Sequence, residues 1–241
     1  MSQNIFDNET FFEGYMDLRE GLNYNDLLEQ PAMRSLLPDL KGKKILDMGC
    51  GYGPVDRFFI ESGAESVTAI DISKKMLEKA RRENALPGIE YKEMSMSEIN
   101  NLKGKYDLVF SSLAIHYIKN FPKLVKDVHN ILNDGGVFLF SQEHPIMTAS
   151  ENMEGYFDED GNYCMNSYLL PGKRYGKWFV KGVESYHRTM GELVTSLGKG
   201  GFLITDMVEP VPDDEVLKIF PRAEHEFIRP TFLLIKAQKL S

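Results

Sequence analysis

The hydrophobic positions of this chain change period along its length. Between residues 44 and 141, short apolar runs alternate with amphipathic stretches. The runs fall at 44–48, 66–71, 89–93, 106–111 and 136–141, and each is short enough to be a strand. Strand-length runs separated by helical patterns predict βαβ units and a parallel sheet. One intervening helix opens at Ser73 and buries Met76, Leu77 and Ala80 on one face. Another starts near Pro122, carries a stripe of Leu124, Val125, Val128, Ile131 and Leu132, and stops at residues 133–136. Further on, Met190, Leu193, Val194 and Leu197 share a face of a helix expected to open at His187. Strands over 201–210 and 229–238 follow it.

Two regions depart from this alternation. Residues 1–40 carry helical patterns at 11–19 and 25–40, which predicts a helical cap ahead of a core spanning 41–144. Residues 145–186 are rich in Gly, Tyr, Asn and charge and hold the single tryptophan, Trp178. A loop-rich insertion of that length in a compact domain is expected to be a lid or binding element. Residues 187–241 supply the last helix and strands, all within one domain.

Composition narrows the class. A length of 241 residues with 42% hydrophobic and 27% charged positions suits one globular domain. The formal net charge of −8 gives no general attraction to phosphate backbones or anionic membrane. No nucleic-acid or membrane partner is therefore expected, and a monomer or homodimer is. No run approaches the roughly 20 apolar residues of a membrane span, and no signal-peptide pattern opens the chain. Cys50 and Cys164 form no C-x-x-C pair, and no metal-ligand spacing stands out. A cytoplasmic location is the expectation.

The densest chemistry lies in Ile45-Leu-Asp-Met-Gly-Cys-Gly-Tyr-Gly-Pro54. Gly49, Gly51 and Gly53 follow the first strand, where glycine lets the chain turn sharply and bring backbone N–H groups close to a ligand. The second strand ends at Asp71, placed to accept hydrogen bonds from a ribose diol. A dinucleotide fingerprint needs a third glycine where this chain has Pro54 or Asp56, which disfavours NAD, and no phosphate-binding G-x-x-x-x-G-K-[ST] run exists. A nucleoside without phosphates remains.

The D-x-G-x-G-x-G turn behind Asp47, the acidic Asp71 and the fourth-strand run YDLVFSSLAIHY resemble the class I S-adenosylmethionine-dependent methyltransferases over residues 40–141. The resemblance implies an α/β, Rossmann-like seven-stranded sheet, mostly parallel with the last strand antiparallel and helices on both faces. It also implies S-adenosylmethionine as methyl donor. In its terms Gly49, Cys50 and Gly51 line the amino-acid part of the donor, with Gly53 completing the turn, and Asp47 orients the ammonium. Asp71 binds the ribose, and Ile72, Met76, Ser95 and Met96 flank the adenine. Ser95 stands where such enzymes often have an acidic residue. Ser111 closes over the methionine moiety, and Tyr15 and Arg19 cover the donor from the cap.

For the acceptor, the carboxyl ends of the strands are the expected site. His116 and His144 follow the fourth and fifth strands and are the candidate bases, since histidine moves protons near neutrality. Tyr24, Tyr175, Trp178, Tyr186, His187 and Arg188 are candidates for the acceptor pocket. The motifs of nucleic-acid-methylating relatives are missing after the fourth strand, which reads Ser-Ser-Leu-Ala, so the acceptor is expected to be a small molecule. Two other readings stay open: a nicotinamide-dependent oxidoreductase, and a non-catalytic S-adenosylmethionine-binding regulator.

Overall fold

A computed structural model describes residues 3–151 and 155–240. The five predicted core strands are β1 (Lys44–Met48), β2 (Ser66–Asp71), β3 (Ile89–Glu93), β4 (Tyr106–Ser111) and β5 (Leu132–Glu143). They pair in parallel in the order β5-β4-β1-β2-β3. Four short strands of the insertion follow: β6 (Tyr156–Phe157), β7 (Tyr163–Cys164), β8 (Gly172–Trp178) and β9 (Val180–His187). The sheet is completed by β10 (Phe202–Val208) and β11 (Phe232–Lys239), giving β10-β11-β5-β4-β1-β2-β3. Only β11 runs against its neighbours, so the sheet has seven strands with the last one antiparallel, as expected.

Alternation along the strands sorts side chains onto two faces. On β1, β4, β5 and β11, Leu46, Val109, Phe138, Phe140, Leu233 and Ile235 join one core. That core is covered by α5 (Phe121–Ile131) and α6 (Met190–Lys199) through Leu124, Val125, Val128, Leu193 and Leu197. Ile45, Leu108, Phe110, Leu139 and Leu234 face the other way. They meet Phe59 of α3 (Pro54–Glu61), Leu77 of α4 (Lys74–Glu83) and Leu28, Met33 and Leu36 of the N-terminal segment.

Several boundaries differ from the sequence reading. The N-terminal segment forms α1 (Glu9–Glu20), a π-helical turn at Asn25–Glu29 and α2 (Gln30–Ser35). The pattern over 25–40 therefore ends early, and Leu40 is buried beyond the helix. β5 starts at Leu132, the last residue of the predicted helix stripe, and runs through the predicted stop at 133–136, with a register shift against β4 at its Gly-containing start. The insertion is less irregular than its composition suggests: β6–β7 and β8–β9 are antiparallel hairpins. His187 closes β9 instead of opening a helix; α6 begins at Met190, capped by the hydroxyl of Thr189 in a reciprocal box with Glu192. A helix, α7 (Asp214–Ile219), and a 3-10 turn at Pro221–Phe227 fill the link between β10 and β11. No helix among the described residues is long and apolar enough to cross a membrane.

Candidate active site

The strand order reverses direction about β1, with β2 and β4 on either side, so a crevice opens at their carboxyl ends. A cavity of about 680 Å³ lies there. Its floor is the glycine turn. Gly49, Gly51 and Gly53 all have positive φ, which a side chain would strain. A Cβ on Gly49 would also sit 2.5 Å from Ala114 Cβ, so that position admits only glycine. Gly51 N–H donates to Asp71 Oδ2 (2.9 Å) and Ser73 N–H to Oδ1 (2.8 Å), which fixes the carboxylate at the cavity edge. Gly53 sits under the ring of Tyr91 and caps α3, outside the lining.

Asp47 lies below the turn. Its carboxyl and that of Asp56 are both buried; Asp47 Oδ1 and both Asp56 oxygens find no donor. Burial raises both groups, Asp47 to about 7, and the Asp47 charge raises Asp56 further, so near neutrality the pair shares a proton and keeps one negative charge. An ammonium is the ligand group that would satisfy the orphaned oxygen.

Ile72, Met76, Ser95 and Met96 line one end of the cavity. Ser95 caps the 3-10 turn Met96–Asn101 in a reciprocal box with Glu98, so its hydroxyl is spent on backbone. Ser111 does not line the cavity: its hydroxyl donates to Met48 O (2.7 Å) beneath it, and Ser112, Leu113 and Ala114 form the wall instead.

The roof comes from both ends of the chain order. Tyr15 and Arg19 of α1 and Tyr24 line the cavity, and Arg19 pairs with Asp26 (2.6 Å). Trp178, on the β8–β9 hairpin, lies edge-on to Phe11 (5.2 Å) and Tyr15 (5.8 Å). The Gln3 side chain donates to Gly182 O and accepts from Glu184 N–H, which ties the N-terminal segment to the same hairpin. Gly14 lets the Phe179 ring of that hairpin pack against α1, because a Cβ there would lie 2.6 Å from the ring.

The acceptor-side expectations need correction. His144 does not line the cavity; its Nε2 meets Glu209 (2.7 Å) and its Nδ1 accepts from Ile146 N–H (3.0 Å), which occupies both ring nitrogens. His116 does line it, but burial and nearby Arg188 lower its pKa to about 3, so it stays neutral and is only a weak proton acceptor near neutrality. Tyr175 points to solvent, 53% exposed, while its neighbours Gly176 and Lys177 face the cavity. Tyr186, His187 and Arg188 belong to a separate groove beside Lys119 and Lys126. His187 is held there by Thr148 and the carbonyl of Tyr168.

The sequence reading missed two carboxylates. Glu29 is fully buried and accepts from Ser112 (2.8 Å), Ser141 (2.5 Å) and Gln30 (2.7 Å), which bolts the N-terminal segment to β4 and β5. Glu143 ends β5 and lines the cavity; its Oε2 is buried without a partner. Burial alone pushes its pKa up to about 7. Strand alternation was the available signal, since Leu139, Ser141 and Glu143 share one face.

Comparison with known proteins agrees with this geometry. Residues 46–140 match a methyltransferase domain family. An uncharacterised protein of Haemophilus influenzae is 36% identical, over 98% of this chain and 97% of its own length. The crystal structure of an S-adenosylmethionine-dependent methyltransferase from Mesorhizobium loti superposes with a TM-score of 0.81 at 36% identity, over 88% of this chain and 97% of that one. A malonyl-[acyl-carrier protein] O-methyltransferase of Enterobacter lignolyticus is 34% identical, but over only 46% of this chain and 43% of its own length. With its glycine turn, strand-end aspartate and sheet topology, the chain belongs to the class I S-adenosylmethionine-dependent methyltransferases.

Proposed function

We propose that the protein transfers the methyl group of S-adenosylmethionine to a small-molecule acceptor enclosed between the glycine turn and the β8–β9 hairpin. One observation carries this reading: a single cavity has the donor-type elements, Gly49, Gly51 and Asp71, and an aromatic roof of Tyr15, Tyr117 and Trp178. The residues fit the donor. Asp71 would hold the ribose hydroxyls, and Ile72, Met76 and Met96 the adenine. Asp47 would take the ammonium, with Tyr15 and Arg19 above.

The bound donor supplies a methyl group on a positively charged sulfur, already activated for displacement. The protein's task is to hold an acceptor atom in line with it and to exclude water. The roof supports an acceptor that is swallowed whole, because the cap and the hairpin meet through Gln3, Phe11 and Trp178. The net charge of −8 also argues against a polyanionic substrate.

The test is incubation of the purified protein with methyl-labelled S-adenosylmethionine and a cell extract, followed by separation into protein, nucleic-acid and small-molecule fractions. Label in the small-molecule fraction is expected. Label confined to protein or nucleic acid would overturn the acceptor class and keep the chemistry.

A further inference from the structure

Glu143 is a half-buried residue on the cavity wall whose Oε2 is buried without a partner, and the fold leaves it unexplained. A buried polar atom is ordinarily hydrogen-bonded, and the other acids around the cavity each have a use. Asp71 is bonded to the glycine turn, Glu29 is satisfied by three side chains, and Asp47 shares a proton with Asp56. Glu143 Oε2 has no partner. Its backbone N–H donates to His116 Nδ1 (3.4 Å), which leaves that nitrogen unprotonated and the ring neutral. The groups around it supply no compensating charge. They are His116 and Tyr117 from the 115–117 turn, His144 next in sequence and held by Glu209, and apolar Phe232 opposite it on β11. Lys177 and Arg222 line the same cavity without bonding to Glu143.

Resting on the methyl-transfer reading above, we infer that Glu143 is the catalytic base, and that the acceptor atom is a hydroxyl oxygen or an amine nitrogen that must lose a proton, not a carboxylate. The acceptor's proton passes to Glu143 and its lone pair forms the bond to the methyl carbon. The carbon–sulfur bond breaks with its electrons left on sulfur. The sulfonium becomes a neutral thioether and the carboxylate an acid, so charge balances. A carboxylate acceptor has no such proton to give and would be repelled by the ionised Glu143.

The test compares wild type with Glu143→Gln, using methyl-labelled S-adenosylmethionine and the small-molecule fraction of a cell extract across pH 5.5–9. Wild-type transfer should rise with pH through about 7, where Glu143 ionises. Glu143→Gln should lose on the order of 10²–10⁴-fold in transfer, as for other general bases, with no inflection and with donor affinity unchanged by calorimetry. The labelled product should survive mild alkali, since methyl ethers and methylamines do and methyl esters release methanol. A variant that keeps wild-type rate and inflection, or that loses donor binding along with turnover, would overturn the assignment, and so would an alkali-labile product. An infrared titration needs no acceptor: the Asp47–Asp56 pair contributes to both proteins, and the wild-type-minus-Glu143→Gln difference spectrum is expected to hold a further protonated-carboxyl band that fades through about pH 7. Its absence overturns the assignment even if no extract supplies a substrate. Its presence with no label transferred would instead count against the methyl-transfer reading.

Discussion

The backbone N–H of Gly51 donates to Asp71 Oδ2 at 2.9 Å, so the glycine turn and the carboxylate 20 residues later form one unit. Asp71 shapes the turn as well as presenting oxygens to the cavity. Asp71→Ala should weaken S-adenosylmethionine binding by more than about tenfold, since hydrogen bonds to a charged group are worth about 1.5–3 kcal/mol. Calorimetric titration measures this; unchanged affinity would remove Asp71 from the ribose role.

The Asp47–Asp56 pair gives stability a pH dependence of known sign. Both carboxyls are raised in the folded state, so folding favours their protonated forms. Their contribution is fully present below the unfolded value of about 3.9. It is lost as pH rises through about 7, where Asp47 titrates in the fold. Asp56→Asn removes one acid, so its melting temperature relative to wild type should be higher at pH 8 than at pH 5. Parallel curves at the two pH values would show that the pair carries no such penalty.

The only tryptophan of the chain reports on the roof. Trp178 lines the cavity against Tyr15, so S-adenosylmethionine or S-adenosylhomocysteine should change its fluorescence saturably, and Trp178→Phe should abolish the signal. Gly14→Ala would ordinarily favour a helix by about 0.5–1 kcal/mol. Here its Cβ would collide with the Phe179 ring, so the variant should displace the hairpin and reduce the ligand-induced change. A full-size signal in Gly14→Ala would mean that the hairpin accommodates the methyl group.

His144→Ala should leave donor affinity intact and turnover within about twofold, because the imidazole lies outside the cavity. It should lower stability by about 0.5–1.5 kcal/mol by removing the hydrogen bonds to the half-buried Ile146 N–H and to Glu209. Thermal melts and labelled transfer separate the two effects. A turnover loss above tenfold with an unchanged melting temperature would return His144 to the site.

The donor half was readable in the chain because it is local. The turn after β1 and the acid ending β2 sit at fixed offsets from strands whose apolar runs are unmistakable, and backbone conformation does most of the work there. The seven-stranded sheet followed from the same runs together with the family resemblance. The roof of the cavity depended on packing between segments far apart in sequence. Gln3 reaches Gly182, Phe11 reaches Trp178 and Glu29 reaches Ser141, and no periodicity encodes such meetings. Histidines at strand ends were the chemically obvious bases. Yet a residue's protonation depends on what surrounds it after folding: desolvation neutralised His116, Glu209 engaged His144, and Glu143, one position earlier in the chain, was left with a buried, unpaired oxygen. The sequence by itself determined the sheet and the turn that meets the donor. Only the tertiary structure decided which ionisable group faces the cavity unpaired, because burial and partner choice exist only once the cap and the hairpin have closed over the strand ends.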